Sequence, residues 1–358
     1  MTERALGRSR VRPKCGAVVL GLGLLLALSC RAIIPGEETP APGTPGAIPG
    51  FTRLTPGDSA MYAGPSWSPD GTRIVYSRSD YIHPGALPYT SELYVMDLQT
   101  GETLQLTHNE QEDRDPDWSP DGMRIVFVRA ERAWPGALKT DREWLMTVRP
   151  DGSDERVLYQ CSVGCWEPAW SPDGTRVAFS ADLNMVIDAD GSDPLKLDLR
   201  VFPFAAQPTW SPDGTRLAFA ASKEAYTLDM ERLPQDYLIE VNLITGEERS
   251  LAEINAYEPD WSPDGSRILF RATSYYGAYG DVSTLFQVPA LGGRPSRLIT
   301  EDLADDVFDP AWSPDGTRIA LAYGSDIRIS DLYVLDLAKY QNGKILQTAS
   351  IPVRLRLD

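Results

Sequence analysis

The chain has 358 residues, of which 42% are hydrophobic and 24% charged, as in a globular protein with a sizeable core. The formal net charge is −17, and because residues 1–29 carry a net charge of +4, the rest of the chain carries −21. A surface of that sign repels nucleic-acid phosphates and anionic lipid headgroups. We therefore expect no nucleic-acid partner, and we favour cations, basic protein surfaces or neutral glycans.

The N-terminal segment has the pattern of an export signal. Residues 4–14 are basic, and residues 16–29 form an apolar run that is shorter than the about 20 residues needed to span a bilayer. The run ends in Leu-Ala-Leu-Ser immediately before Cys30. This order resembles the signal of bacterial lipoproteins, which implies that Cys30 is lipidated. The alternative is a plain cleaved signal in which Cys30 has no role.

The residues that follow Cys30 predict a tether. Residues 30–50 are rich in proline and glycine, so they do not build a core and extend between an anchor and a folded body. We expect a lipoprotein-type signal peptide over 1–29, an anchor cysteine and linker over 30–50, and one folded domain over 51–358. The expected location is the outer membrane or periplasm in a two-membrane cell, or the outer face of the plasma membrane in a one-membrane cell.

Six copies of one turn motif occur in the folded domain, each with the pattern Pro-x-Trp-Ser-Pro-Asp-Gly-x-Arg. The spacings between the tryptophans are 51, 52, 40, 51 and 51 residues, which is typical of propellers and other repeat arrays. Ser-Pro-Asp-Gly favours a tight turn between two strands. The tryptophans are Trp67, Trp118, Trp170, Trp210, Trp261 and Trp312.

Each repeat continues with further strand signals. In the first repeat, apolar runs at 73–77 and 93–97 are followed by a Thr-Gly turn and a weaker strand at 103–107. Four antiparallel strands in each of six repeats predict an all-β fold, a six-bladed β-propeller of four-stranded blades. The runs are continuous rather than alternating, which suits sheets buried on both faces. Either 51–55 or 344–348 supplies the strand that closes the ring.

The repeated motif is similar to that of TolB-type propellers and of related WD-like propellers in exported bacterial proteins and prolyl-oligopeptidase relatives. The resemblance covers about residues 51–358 and implies the propeller fold. TolB itself carries an extra α/β domain before its propeller, so a Tol-Pal role is not expected from the segments that precede residue 51. Oligopeptidase relatives carry a Gly-x-Ser-x-Gly nucleophile elbow, and this sequence contains none.

Repetition separates structural from functional residues. A residue that recurs in every blade serves the blade, so we expect the six tryptophans to pack between blades. For the same reason we expect Asp70, Arg73 and their counterparts to secure the hairpin. A single functional site has to break this symmetry.

One repeated position is a candidate site because it lies where the innermost strand begins, at the mouth of the central channel. Its residues are Gly64, Asp115, Glu167, Gln207, Glu258 and Asp309. The carboxylates Asp115, Glu167, Glu258 and Asp309 form a partial ring, which favours a basic group or a bound Ca²⁺. The alternative is that they accept backbone hydrogen bonds from the adjacent blade. No other cofactor is expected.

Loops inserted between the second and third strands of blades one, two, four and five are the asymmetric parts of the sequence. They carry the candidate binding-face residues Tyr81, His83, Trp134, Tyr226, Tyr275 and Tyr279. Such aromatic residues favour recognition of protein or sugar. The alternative is that they cover small cores of the loops themselves. Cys161 and Cys165 are the only cysteines of the folded domain, and in an exported protein they favour a disulfide over a metal site.

Signals of catalysis are weak, since the chain has two histidines, His83 and His108, and no metal-centre motif. We expect a non-catalytic binding or scaffold module for an envelope protein or glycan, held at the membrane by its lipid alone. The enzyme alternative is a carbohydrate-active lyase or glycosidase that uses the channel carboxylates. The structural alternative is a scaffold in a larger envelope assembly. The oligomeric state stays open.

Overall fold

The computed structural model of the protein describes residues 50–80, 90–131, 142–162, 164–181, 183–223, 236–274, 282–299, 306–326 and 329–341. Within these residues the secondary structure consists of 24 β-strands and a short helical turn at 337–341. Strand β1 is Phe51–Arg53. The strands of the first repeat are β2 (Ala60–Trp67), β3 (Arg73–Asp80), β4 (Glu92–Asp97) and β5 (Thr103–Gln105).

The other repeats follow the same order. Repeat two contains β6 (Glu112–Trp118), β7 (Ile125–Glu131), β8 (Arg142–Val148) and β9 (Arg156–Cys161). Repeat three contains β10 (Trp166–Trp170), β11 (Arg176–Ser180), β12 (Asn184–Asp188) and β13 (Leu195–Lys196). Repeat four contains β14 (Phe204–Trp210), β15 (Arg216–Ser222), β16 (Asp236–Asn242) and β17 (Glu248–Glu253). Repeat five contains β18 (Ala256–Trp261), β19 (Arg267–Ser274), β20 (Val282–Pro289) and β21 (Ser296–Arg297). Repeat six contains β22 (Asp306–Trp312), β23 (Arg318–Asp326) and β24 (Ile329–Asp336).

The described strands form five sheets. Repeats two, three, four and five each form one four-stranded antiparallel sheet whose strands pair in chain order. The remaining eight strands form one sheet, in which β22, β23, β24 and β1 are antiparallel and β2 to β5 are antiparallel. The two halves of this sheet meet at a parallel pairing of β2 with β24, between Met61 and Ser330.

Strand β1 comes from the first of the two segments that the sequence proposed for ring closure. It pairs antiparallel with β24, with Phe51 opposite Leu335 and Arg53 opposite Tyr333. The second segment, 344–348, lies outside the described residues. Within the described residues, the pairing joins the first strand to the last.

A partly buried carboxylate, that of Asp331, stabilises the pairing of β1 with β24. Asp331 on β24 forms an ion pair with Arg53 and accepts hydrogen bonds from Thr55 Oγ1 at 2.7 Å and from the Gly57 N–H at 3.2 Å. The side chain of Asp331 is 16% exposed and Thr55 is buried, whereas Arg53 and Gly57 are exposed, so the hydrogen bond from Thr55 is the most shielded from water.

The core lies between consecutive sheets. Phe127, Phe179, Phe219 and Phe270, one from each second strand of repeats two to five, are 0% exposed. The cluster around Phe127 also contains Val75 and Leu93 of repeat one, so neighbouring sheets bury each other's faces. This arrangement explains the continuous apolar runs, because both faces of the second and third strands are largely buried.

The tryptophan of each turn motif is buried, and in five repeats the arginine of the motif lies over the tryptophan of the next repeat. The Arg73 guanidinium carbon is 4.9 Å from the centre of the Trp118 ring, within the range of a cation–π contact. Corresponding pairs are Arg176 with Trp210, Arg216 with Trp261, Arg267 with Trp312, and Arg318 with Trp67. The Arg73 side chain thus reaches the adjacent repeat, while its main chain takes part in the hairpin.

Asp70 holds the hairpin turn. Its Oδ1 accepts hydrogen bonds from Ser68 Oγ at 2.6 Å and from the Thr72 N–H at 3.0 Å. The Ser68 hydroxyl oxygen accepts the Arg73 N–H at 2.9 Å, and Gly71 has the left-handed backbone (φ 68°) that the turn needs. Because these hydrogen bonds stabilise the carboxylate, the first of them most strongly, the pKa of Asp70 falls to about 2.

We predict that Asp331→Ala destabilises the domain, because the buried hydroxyl of Thr55 loses an acceptor and Arg53 loses its ion-pair partner. The expected loss is about 1–3 kcal/mol in the free energy of unfolding, measured by urea denaturation. Asp198→Ala is the matched control, since Asp198 is 80% exposed and its pair with Arg200 is a surface one. Equal stability of the two variants would contradict a role of Asp331 in closure.

Candidate functional site

A cavity of about 450 Å³ is lined by corresponding residues of all six repeats. Its walls are the innermost strands β2, β6, β10, β14, β18 and β22. Five of them contribute the residues from the ring position to the tryptophan, and β18 contributes Glu258, Pro259 and Asp260. The ring position is the one before the proline, and its six residues are Gly64, Asp115, Glu167, Gln207, Glu258 and Asp309. The residue type at each level of the wall therefore decides the chemistry of the channel.

The innermost strand of every repeat carries a β-bulge at this level. In repeat one, Ala63 pairs with Ser77 and Ser66 with Val75, so the innermost strand has one extra residue there. The other five repeats show the same shift. The ring residues have left-handed backbones, with φ of 59°, 53°, 51°, 63°, 53° and 48° in chain order. Five of these residues are not glycine, which is uncommon for this conformation.

The bulge directs each ring side chain towards the next repeat. Asp309 Oδ2 accepts the Gly64 N–H at 2.8 Å, and Glu258 Oε2 accepts the Asp309 N–H at 2.8 Å. Gln207 Oε1 accepts the Glu258 N–H at 2.8 Å. Asp115 Oδ2 accepts the Glu167 N–H at 3.3 Å. Asp115, Glu258 and Asp309 thus accept main-chain hydrogen bonds from the next repeat, which is the alternative that the sequence offered for the ring carboxylates.

Two positions differ from this rule. Gly64 has no side chain to offer to repeat two. At repeat four, the Gln207 N–H donates to Ser180 Oγ at 3.0 Å, and Gln207 Nε2 donates to Glu167 Oε1 at 2.7 Å. The side-chain amide of Gln207 therefore bridges repeats three and five: it donates to the carboxylate of Glu167 and accepts the main-chain N–H of Glu258.

Two arginines, which sequence analysis did not single out, pair with two of the ring carboxylates. Arg271 on β19 makes a bidentate pair with Glu258, with both N–O distances 3.0 Å. Arg114 Nη1 lies 2.5 Å from Asp115 Oδ2. No pattern of the turn motif includes these arginines, because they precede the ring position or lie on the second strand.

The other two carboxylates, Glu167 and Asp309, accept hydrogen bonds from amide groups and lie three repeats apart, on opposite sides of the ring. Burial raises the pKa of Asp309 to about 7, with repulsion from Glu258 as a further cause. Burial, followed by repulsion from Asp115, raises the pKa of Glu167 well above its usual range. Both carboxyl groups thus resist ionisation in the free protein. A cation bound between them would favour their ionised form.

A second layer of side chains lies one step deeper in the channel, at the residue between the proline and the tryptophan. It has the order hydroxyl, carboxylate, alanine, and this order occurs twice: Ser66, Asp117, Ala169, then Thr209, Asp260, Ala311. The sequence carries a signal of this layer that differs from the one at the ring position. At the residue after the proline, the six motifs repeat with a period of three.

The hydrogen bonds of the second layer repeat with the same period. Asp117 accepts from Ser66 Oγ at 2.8 Å and from the Trp170 N–H at 2.8 Å. Asp260 accepts from Thr209 Oγ1 at 3.4 Å and from the Trp312 N–H at 2.7 Å. The alanine carbonyls accept indole N–H groups, Ala169 from Trp210 at 3.0 Å and Ala311 from Trp67 at 3.1 Å.

Burial also raises the pKa of the two deep carboxyl groups, to about 6 for Asp117 and about 7 for Asp260. Repulsion from Asp117 contributes to the raised pKa of Asp260, so the two groups affect each other across the channel. The charge of the channel therefore changes strongly between about pH 5 and pH 8.

The cysteines form a disulfide beside the ring. Cys161 ends β9 and Cys165 precedes β10, with their Cα atoms 5.9 Å apart. The Cys165 N–H donates to Glu143 Oε2 at 2.9 Å, and Arg114 Nη2 donates to the Cys165 carbonyl at 2.9 Å. The disulfide loop is therefore attached to the same arginine that pairs with Asp115.

Several residues proposed from the sequence lie outside the described part of the chain. These are Cys30 and the aromatic candidates Tyr81, His83, Trp134, Tyr226, Tyr275 and Tyr279. Within the described ranges no three His, Cys, Asp or Glu side chains are arranged to hold a metal ion. The Ca²⁺ suggested for the ring stays a prediction. In the same ranges, no helix has the length and apolar character that crossing a bilayer requires.

Comparisons with known proteins agree with the architecture. Residues 85–181 match the family model described as the dipeptidyl peptidase IV (DPP IV) N-terminal region. The structure is similar to that of a putative TolB from Agrobacterium tumefaciens, with a TM-score of 0.55 and 16% identity over 77% of this chain and 90% of that one. The chain is a β-propeller of four-stranded antiparallel blades. The predicted fold class is confirmed at this level.

An oligogalacturonate lyase in complex with manganese is also similar, with a TM-score of 0.51 and 18% identity over 84% of this chain and 95% of that one. At these identities the likeness concerns the propeller fold alone.

Two curated relatives match parts of the chain. An uncharacterized peptidase, YuxL, from Bacillus subtilis is 28% identical over 213 residues, which are 58% of this chain and 29% of the relative. An uncharacterized protein, Atu1656, from Agrobacterium fabrum is 34% identical over 136 residues, which are 38% of this chain and 40% of the relative. The matched parts thus span less than half of either relative's length.

We predict that Asp260→Asn changes how stability depends on pH. A carboxyl group with a folded pKa of about 7 retains its proton in the native state above pH 4, where the unfolded chain has released it. Its ionisation therefore costs the wild type stability as the pH rises from about 4 to 7, with a slope of up to about 1.4 kcal/mol per pH unit. The asparagine variant lacks this loss.

Urea denaturation at several pH values tests this prediction. The stability of Asp260→Asn relative to wild type should rise between about pH 4 and pH 7 and be constant above. Asp198→Asn, at an 80% exposed site, should show no such trend. A constant difference between Asp260→Asn and wild type would refute the raised pKa.

Proposed function

We propose that the chain is an exported, lipid-anchored propeller whose channel mouth is a non-catalytic binding site for a basic group of a partner protein in the cell envelope. The observation that carries this proposal is the opposed pair Glu167 and Asp309. Arginines of the protein itself pair with Asp115 and Glu258, whereas Glu167 and Asp309 accept from amides only among the described contacts. Glu167 and Asp309 thus line one cavity without a hydrogen-bonded cation among the described contacts, although the charge of Arg271 also acts on Asp309 and lowers its pKa.

The wall of the channel supports a positively charged ligand. A proline follows the ring residue in all six motifs, and proline has no N–H to offer to an acceptor. The mouth is therefore rich in acceptors, and its proline and tryptophan side chains suit the aliphatic part of a lysine or arginine. Such side chains bring several N–H donors, so they satisfy carboxylates on opposite sides of a ring.

The geometry favours this ligand over Ca²⁺. A calcium site gathers six to eight oxygens at about 2.3–2.6 Å from the ion. Glu167 and Asp309 are three repeats apart instead, and Asp115 and Glu258 already hold guanidinium groups. A long basic side chain or a chain terminus spans such a ring better than a small ion does.

Binding without catalysis is supported by the state of the candidate catalytic groups. His108, the histidine within the described residues, is exposed and is not part of the channel wall. Asp115, Glu258 and Asp309 each hold the main chain of the next repeat, which commits them to the architecture. A carboxylate that served as an acid or nucleophile would have to leave these bonds.

We further propose that the propeller has six blades. The eight-stranded sheet consists of two antiparallel halves of four strands, joined at a parallel pairing at Met61 and Ser330. Six innermost strands line the cavity at equivalent positions, which supports counting each half as one blade. The six turn motifs of the sequence agree with this count.

Binding of short basic peptides tests the function. We expect fluorescein-labelled tetra-arginine to bind at about pH 8, and tetra-glutamate not to bind. Binding should weaken towards about pH 5.5, because Glu167 and Asp309 have raised pKa values and take up protons as the pH falls. Glu167→Gln should lower the affinity at about pH 8 by tenfold or more, corresponding to about 1.4 kcal/mol.

The matched control is Asp198→Asn, which removes an exposed charge away from the channel. Equal weakening by both variants would show that the peptide responds to net charge alone and would overturn the site. Conversion of oligogalacturonate to unsaturated products, followed by ultraviolet absorbance, would overturn the non-catalytic assignment. Loss of that conversion in Glu167→Gln would then assign the channel to catalysis.

The proposed anchor has its own test. Mass spectrometry of the protein from a bacterial membrane fraction should find a mature N-terminus at Cys30 that carries a lipid mass. Cys30→Ser should release the protein from the membrane, because one cysteine holds all of the lipid. Cys15→Ser, which changes a cysteine within the proposed signal, should leave the mature protein unchanged. An unmodified N-terminus at another residue would refute the anchor.

A further inference from the structure

Two exposed apolar side chains lie beside the channel mouth where repeats three and four meet. They are Leu183, 44% exposed, and Phe204, 42% exposed; we call them the repeat-three patch. Leu183 follows the end of β11 at Ser180, and Phe204 begins β14. Both thus lie at the end of the blades where the innermost strands begin, on the face of the acidic ring.

A hydrogen bond links the two segments that carry the patch. Asn184, next to Leu183, donates from Nδ2 to the carbonyl of Ala205, next to Phe204, at 2.8 Å. Phe204 itself pairs with Ser222 in the β14–β15 ladder. The two connections that carry the patch are therefore held at a fixed separation.

The segment that precedes Phe204 is also preorganised. The carboxylate of Glu248 accepts the N–H groups of Arg200, Val201 and Phe202, at 2.6, 3.1 and 2.9 Å. Phe202 is buried, with its ring centre 5.2 Å from that of Tyr237. One aromatic residue of the segment thus packs inward while its neighbours Val201 and Phe204 remain exposed in a defined backbone.

The patch is continuous with the acidic ring. Gln207 lies three residues after Phe204 on β14, a distance of about 10 Å at the rise of a strand. Gln207 Nε2 contacts Glu167 Oε1 at 2.7 Å, so Glu167 lies at the inner end of this path. An apolar surface and a carboxylate without a guanidinium partner therefore adjoin each other along one strand.

We propose that the repeat-three patch and Glu167 together bind an extended segment of a partner protein, with an apolar side chain on the patch and a basic side chain at Glu167. This proposal rests on the proposed function and specifies its ligand. The spacing of about 10 Å corresponds to two to four residues of extended chain. A second copy of this chain is a poor occupant, because a charge of −21 on each folded domain with its linker repels the other.

A double-mutant cycle tests the proposal. The probes are labelled glycine–serine peptides that carry one leucine and, three positions before or after it, one arginine. A second set has serine in place of the leucine. In the wild type, at least one leucine peptide should bind about tenfold more tightly than its serine counterpart, which corresponds to about 1.4 kcal/mol.

In Phe204→Ser this preference for the leucine peptide should disappear, because its apolar contact is removed. Leu291→Ser is the matched control, since Leu291 is 82% exposed on the turn after β20, outside the patch and the channel wall, and this variant should retain the preference. Thermal unfolding should be the same for both variants. A preference that persists in Phe204→Ser, or is absent from the wild type, would overturn the docking surface.

The same peptides distinguish this failure from failure of the proposed function. If Glu167→Gln weakens binding of both peptide sets while Phe204→Ser has no effect, the acidic site stands and the patch is not part of it. If neither variant changes the affinity, both proposals fail. Loss of the leucine preference in Phe204→Ser, together with weakening of both peptides in Glu167→Gln, supports both.

Discussion

In all six repeats the innermost strand has one extra residue relative to the second strand, and the rest of the channel depends on this bulge. The bulge turns the backbone into the left-handed region just before a proline, where a strand would otherwise continue its ladder. In five repeats a residue other than glycine accepts this conformation, at a cost of about 1 kcal/mol or more each. Hydrogen bonds from ring side chains to the main chain of the next repeat offset that cost and link neighbouring repeats.

The same bulge explains why carboxylates are buried at the mouth. An acceptor at the ring position meets the N–H of the following repeat, so Asp, Glu and Gln all suit the position. A carboxylate satisfies this need and adds a charge. Arg114 and Arg271 neutralise two of these charges. The raised pKa values of Glu167 and Asp309 show that ionisation of the other two is unfavourable. Architecture and binding potential thus come from the same atoms.

The architecture was predictable from the sequence because the same turn and strand signals recur in each repeat. Ser-Pro-Asp-Gly predicts a turn through the rigidity of proline and the freedom of glycine, and the structure places Asp70 and Gly71 in that turn. The strands on either side follow from continuous apolar runs such as 73–77. The ring position was predictable for the same reason, since it has a constant distance from the tryptophan.

The left-handed backbone of the ring had a signal in the sequence that was not used. Gly64 stands where the other repeats have polar residues, and glycine at one of six equivalent positions indicates a backbone that glycine prefers. The partners of the ring had no such signal. Arg271 reaches Glu258 from another strand, and Arg114 also contacts the carbonyl of Cys165, so both depend on tertiary contacts that local pattern does not encode.

The period of three repeats in the second layer has a consequence for any ligand that enters along the axis. Rotation by half a turn exchanges Ser66 with Thr209, Asp117 with Asp260, and Ala169 with Ala311, so the deep channel presents nearly the same surface in two orientations. A ligand guided by this layer alone would bind in both. The ring above it breaks the equivalence, because the same rotation exchanges Gly64 with Gln207. The ring at the entrance therefore distinguishes the two orientations of such a ligand, whereas the second layer does not.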